Sequence, residues 1–145
     1  MKVYLVGPIS GCTYKEAAGW RETVTKCVEF YGHSVFNPMA GKDHLKDEDK
    51  IILSYEDHLM SKGDHIFQAD LHRVRHSDIL FCNFQDLKGY TIGSFFEVGY
   101  GYAMNKAIIV VATDKMIVEH PFIKNSALVA SSIDEGIQIL NKLVK

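Results

Sequence analysis

Only three cysteines occur, Cys12, Cys27 and Cys82, odd in number and far apart. They form neither a disulfide framework nor a zinc spacing, so a reducing cytoplasm is the expected setting. Strong net charge is also missing. Sixteen basic against eighteen acidic residues leave −2 with the histidines neutral, so neither nucleic acid nor a membrane surface is an expected partner. No apolar run is long enough to span a bilayer. The opening Met1 to Gly7 is too short in its apolar part for a signal peptide and lacks a cleavage pattern. Repeats, linkers and low-complexity tracts are absent too, and residues 1–145 read as one domain, long enough for a real core.

What is present alternates between strand and helix. Lys2 to Val6 reads as a buried strand. A turn at Gly7-Pro8-Ile9-Ser10-Gly11 follows, then a helix that Thr13 can cap, with Ala17, Ala18, Val24, Cys27, Val28 and Tyr31 at helical spacing and a stop at Gly32. His33 to Phe36 reads as a short strand. Residues 40–64 are polar and charged, and read as a lid-like excursion over the carboxyl edge of a sheet. Further helices are expected at Asp64 to His76, Ile92 to Asn105 and Ile133 to Val144, and further strands at Ile79 to Phe84, Ala107 to Ala112 and Ala127 to Ala130. This order predicts an α/β fold with a doubly wound, five-stranded parallel sheet. Right-handed crossovers bring the turns after the first, third and fourth strands, Gly7 to Gly11, Gly89 to Gly93 and the Thr113 region, to one edge.

Glu97 stands out in the stretch Gly93-Ser94-Phe95-Phe96-Glu97-Val98. It reads either as a first-turn glutamate complementing the positive end of a helix or as a partly desolvated nucleophile at the carboxyl end of a strand. The Gly7 to Gly11 turn lacks both a Gly-Lys-Ser/Thr ending and a three-glycine dinucleotide fingerprint. It is either a tight turn or a backbone anion cradle. Asp70, inside a predicted helix, reads locally as an exposed residue pairing with Arg73 or Arg75, and Asp78 as a backbone-bonding residue at a helix-to-strand turn. Three Asp-His pairs, Asp43-His44, Asp57-His58 and Asp64-His65, lack the spacing that puts two metal ligands on one helix face, so no metal is expected.

Three blocks in order resemble the nucleoside 2-deoxyribosyltransferase family and its nucleotide N-hydrolase relatives. They are Val3-Tyr-Leu-Val-Gly-Pro-Ile-Ser-Gly11, then Asp70-Leu71 eight residues before Asp78-Ile-Leu-Phe81, then Ile92-Gly-Ser-Phe-Phe-Glu-Val-Gly-Tyr100 followed by Lys106 to Val111. The resemblance implies a flavodoxin- or Rossmann-like fold and cleavage of an N-glycosidic bond in a 2′-deoxynucleoside or its 5′-monophosphate. A covalent glutamyl–sugar intermediate then passes to another base or to water. It implies Glu97 as nucleophile, Asp70 beside the leaving base and Tyr4 holding the nucleophile. The Gly7, Pro8, Ile9, Ser10 and Gly11 loop would contact the sugar or a phosphate, and Gly93 and Ser94 would line the substrate. No organic cofactor or metal is implied.

Members acting on nucleosides tend to carry aspartate six residues before the nucleophile, and this chain has Thr91. With Ser94 and Ser10, Thr91 tilts the substrate towards a monophosphate, although the Gly7 to Gly11 loop holds no lysine or arginine. His120, in the Glu119-His-Pro121 turn, is either a surface residue or a positive charge supplied across a homodimer or larger homo-oligomer, since family members complete sites between subunits. The alternative is a nucleotide-binding or sequestering protein of the same fold without turnover.

Overall fold

The computed structural model describes residues 1–87 and 91–144. Its elements are β1 (Lys2–Val6), α1 (Tyr14–Phe30), β2 (Ser34–Phe36), α2 (Gly63–His76), β3 (Ile79–Asn83), α3 (Ile92–Ala103), β4 (Ala107–Val111), α4 (Lys115–Val118), α5 (Pro121–Ser126), β5 (Leu128–Ala130) and α6 (Ile133–Leu143), with short 3-10 turns at Asp43–Leu45 and Leu59–Ser61. The five strands pair in parallel in the order β2-β1-β3-β4-β5, the expected doubly wound sheet. The two short helices α4 and α5 were not anticipated. Their signals were local: Asp114 caps the first by accepting from Met116 N, and Pro121 opens the second. The Gly89 part of the expected Gly89 to Gly93 turn lies outside the described residues.

The parity of β1 decides what meets what. Val3 and Leu5 face one side and join Val24, Val28, Ile137 and Leu140 of α1 and α6. Tyr4 and Val6 face the other and join Val74 of α2, Leu80 and Cys82 of β3, and Val98 of α3. Helix α3 lies tight on the sheet, because a Cβ at Gly101 would fall 2.5 Å from Leu80 Cδ2. Thr13 caps α1 as expected and forms a capping box with Glu16.

The 40–64 excursion is anchored to the body. Met39, Leu45 and Ile51 are buried against Cys12, Ala17 and Ala18. Two backbone bonds tie it to the first loop, from Gly11 N to Ile51 O at 2.6 Å and from Ile51 N to Cys12 O at 2.9 Å.

Candidate active site

Chain connections leave β1 and β3 in opposite directions, because β1 is followed by β2 on one side and β3 by β4 on the other. A crevice opens at the carboxyl ends of such a strand pair. Into this region α3 projects Glu97 and α2 projects Asp70, on the sheet face that Tyr4 occupies. Tyr4 is 1 % exposed, and its hydroxyl donates to Glu97 Oε1 at 2.6 Å. Glu97 stands in the second turn of α3, with no acidic residue in the first turn, so the first-turn reading of this glutamate is corrected.

The electrostatics of the pair are unusual. Loss of water and the nearby Asp70 charge push the Glu97 carboxyl up to about 8, against the Tyr4 hydrogen bond and the Arg21 and Arg73 charges. Burial, then Glu97 and Asp70, push the Tyr4 phenol well above its ordinary value. The phenol therefore stays a donor. The carboxylate it holds is short of solvation and gains most from a positive centre brought against it.

Asp70 accepts from Arg73 Nη1 at 2.7 Å, and both side chains are mostly buried. The expected pairing is present, but the exposed setting read from the local sequence is corrected: α2 turns this residue inward. Asp78 accepts from Lys2 N at 2.7 Å, a structural role joining the start of β3 to β1.

Two basic residues missed in the sequence reading flank the site. Arg21 of α1 is fully buried. It donates to Gly7 O at 2.7 Å and to Ala17 O, while its Nε has no partner and its guanidinium lies 4.5 Å from the Trp20 ring centroid. Burial lowers its proton affinity to about 10, and Tyr4, Glu97 and Asp70 act against that loss. Its signal was present, because residues 17, 21, 24 and 28 form one apolar stripe of α1 and Arg21 occupies it. Lys42 is the second, buried within the excursion.

The loop residues divide. Gly7 is closely enclosed, since a Cβ there would meet Trp20 Cζ2 at 2.9 Å and Asn83 O at 3.1 Å, which is where glycine is required. Pro8, Ile9, Ser10 and Gly11 are partly exposed. The Ser10 hydroxyl donates to Ile52 O at 3.2 Å, so toward a ligand it is an acceptor unless that bond opens. Thr91 is the N-cap residue of α3 but makes no side-chain capping bond, and Ser94 is buried one turn before Val98. Gly93 is exposed, with open space around it. His120 lies at the start of α5. It caps α5 by accepting from Phe122 N and lines an apolar cavity of about 780 Å³ with Phe95, Val98, Tyr102 and Ile117.

Among the described residues no three His, Cys, Asp or Glu side chains gather into a metal-binding group. Of the Asp-His pairs, His44 stacks on His58 at 4.0 Å and contacts Ser61 Oγ at 3.0 Å, and His65 contacts Asp64. No described helix is long and apolar enough to cross a membrane.

Residues 3–137 match the family model for nucleoside 2-deoxyribosyltransferase. No curated protein matches the chain by sequence. Among solved structures, a 2-deoxyribosyltransferase from the psychrotolerant bacterium Bacillus psychrosaccharolyticus is 19% identical with a TM-score of 0.64, over 92% of this chain and 88% of that one. A CMP N-glycosidase from Clostridium botulinum is 14% identical with a TM-score of 0.57, over 97% and 99%. A molybdenum cofactor binding protein from Rippkaea orientalis is 13% identical with a TM-score of 0.61, over 99% and 97%. At these identities the likeness to the three structures is one of fold.

Proposed function

The chain belongs to the nucleoside 2-deoxyribosyltransferase family, and from that premise we propose that it cleaves the N-glycosidic bond of a 2′-deoxynucleoside or its 5′-monophosphate through a covalent Glu97–sugar intermediate. The observation that carries this reading is the 2.6 Å bond from Tyr4 to a poorly solvated Glu97. Tyr4 fixes one carboxylate oxygen and leaves the other to attack C1′. As the base departs, C1′ takes on oxocarbenium character, and an under-solvated carboxylate stabilises that charge and then captures it. The Gly7 to Gly11 loop, partly exposed from Pro8 onward, with Gly93, Ser94 and Thr91 at the start of α3, would hold the sugar and its 5′ substituent. Asp70, kept in place by Arg73, would orient the base. Water or a second base resolves the adduct.

A second copy of the chain is the proposed partner. The apolar surface beside His120 leaves Met116, Phe122 and Tyr102 exposed, large side chains of the kind a partner surface covers. The proposed compartment is the cytoplasm, in keeping with cysteines that form no disulfide among the described residues.

A binder of nucleotides without turnover is the second reading, favoured by the fold likeness to a cofactor-binding protein. One experiment separates the two. The protein is incubated with a panel of deoxynucleosides and monophosphates, with and without an acceptor base, and free base is followed by chromatography. Base release by wild type and none by Glu97→Ala supports the enzyme. Tight binding with no release from any substrate supports the binder.

A further inference from the structure

Gly7 directly follows β1. Strand β2 pairs with β1 only as far as Tyr4, and β3 only as far as Val6, so Gly7 lies beyond the ladder. Its carbonyl is met instead by Arg21 Nη2 at 2.7 Å. The same guanidinium lies 4.5 Å from the Trp20 ring centroid, and Trp20 stacks on Phe81 of β3. The far end of the turn is held by backbone, with Gly11 N donating to Ile51 O at 2.6 Å and Cys12 N to Ile9 O at 3.1 Å. Between these anchors Pro8, Ile9 and Ser10 are partly exposed. Arg21 is a costly tether for one end of such a turn. It is fully buried, so its charge forfeits hydration, and its Nε has no partner among the described residues. A neutral donor would satisfy the Gly7 carbonyl without that loss. Local rules broken at a cost point to a residue that serves a site as well as the fold.

We propose that Arg21 is a positioning residue, which acts through the Gly7 carbonyl to fix the Pro8 to Ser10 stretch where it meets the sugar and its 5′ substituent; this rests on the N-glycosidic reading of the site. Arg21 itself is buried and touches no substrate. Its planar fork spans two carbonyls, Gly7 O and Ala17 O, so the turn is set against α1 as well as against the end of β1. An ammonium does not reproduce that fork. A turn fixed at both ends gives up little freedom when a substrate arrives. A sugar gripped at its 5′ side is then held with C1′ in register with Glu97, and small misplacements of a reacting centre are expensive in rate.

Arg21→Lys keeps the charge and loses the fork. Gly7→Ala keeps Arg21 but moves the turn, because the new Cβ would stand 2.9 Å from Trp20 Cζ2 and 3.1 Å from Asn83 O. Each variant is assayed well below its Tm for base release from the substrate that wild type prefers and from the 5′-deoxy counterpart of that substrate, with enzyme raised for the slower of the two. Both variants should lose about 10- to 100-fold in kcat/KM on the full substrate and far less on the 5′-deoxy one, which lacks the group that the turn grips. The loss on the full substrate should not depend on the base. A residue that only stabilises the fold would cost both substrates alike. If Arg21→Lys does not fold, Gly7→Ala decides by the same comparison. An equal loss on the two substrates, or no loss, overturns the role of Arg21 and leaves the N-glycosidic reading standing. No base release by wild type from any substrate overturns that reading, and the role of Arg21 with it.

Discussion

Tyr4 and Glu97, 93 positions apart in the chain, meet through one hydrogen bond of 2.6 Å from phenol to carboxylate. The bond opposes the upward push on the Glu97 carboxyl. Tyr4→Phe should therefore raise the pKa of Glu97 further, moving the acid limb of the pH–kcat/KM profile to higher pH. It should also lower kcat by about 10- to 100-fold through loss of orientation. Initial rates across pH check both effects.

With Glu97 pushed up to about 8 from an ordinary 4.5, most of the free protein carries a protonated Glu97, the proposed nucleophile, at neutral pH. The kcat/KM should climb with pH and level off above about 8, since that parameter reports the free enzyme.

Stability should run the other way. Between about 4.5 and 8 the folded chain keeps a Glu97 proton that the unfolded chain releases, so this group favours folding less as pH rises through that window, by at most ~1.4 kcal/mol per pH unit. Glu97→Gln removes the titration. Its stability relative to wild type should improve steadily from pH 5 to pH 8, as read by thermal melts at both ends.

Arg21→Met should destabilise the fold by about 2–4 kcal/mol, because the Gly7 carbonyl and the Ala17 carbonyl both lose a charged donor. Arg21→Lys should rescue little, since an ammonium does not reproduce the planar fork. Urea unfolding of the two variants is the measurement.

On the proposed reading Thr91 takes the place of a carboxylate that would select a free 5′ hydroxyl, and the Arg21 and Arg73 charges bear on Glu97. Deoxynucleoside monophosphates should outperform the matching nucleosides in kcat/KM, with hydrogen bonds to the phosphate contributing roughly 1.5–3 kcal/mol each. Thr91→Asp should reverse that order by placing like charge against the phosphate. A wild type that prefers plain nucleosides would end the monophosphate assignment.

Strand and helix periodicity made the sheet legible, because buried parallel strands such as Ala107–Val111 read as unbroken apolar runs. Glu97 could be picked out because a carboxylate in apolar surroundings is conspicuous, whereas Asp70 reads locally as exposed and only the family resemblance marks it. Lys42 could not, since an irregular segment has no period and its burial is decided by where Met39 and Leu45 dock. Helices α4 and α5 were too short for periodicity and were marked only by Asp114 and Pro121. Arg21 was readable as a charge in an apolar stripe, but the stripe alone does not say that its target is the Gly7 carbonyl.

The central position of β1 has a consequence for how the chain acquires its chemistry. This strand pairs with β2 nearby in sequence, but also with β3, whose first residue lies 76 positions beyond its Val3 partner. Closing so long a loop costs entropy before any contact repays it, so that pairing belongs to the slow part of folding. Only after it, and after α3 docks through Gly101 on Leu80, can Tyr4 and Glu97 meet. Until then Glu97 remains an ordinary solvated carboxylate, so a nascent or partly folded chain has a freely ionised side chain where the finished protein holds a desolvated one.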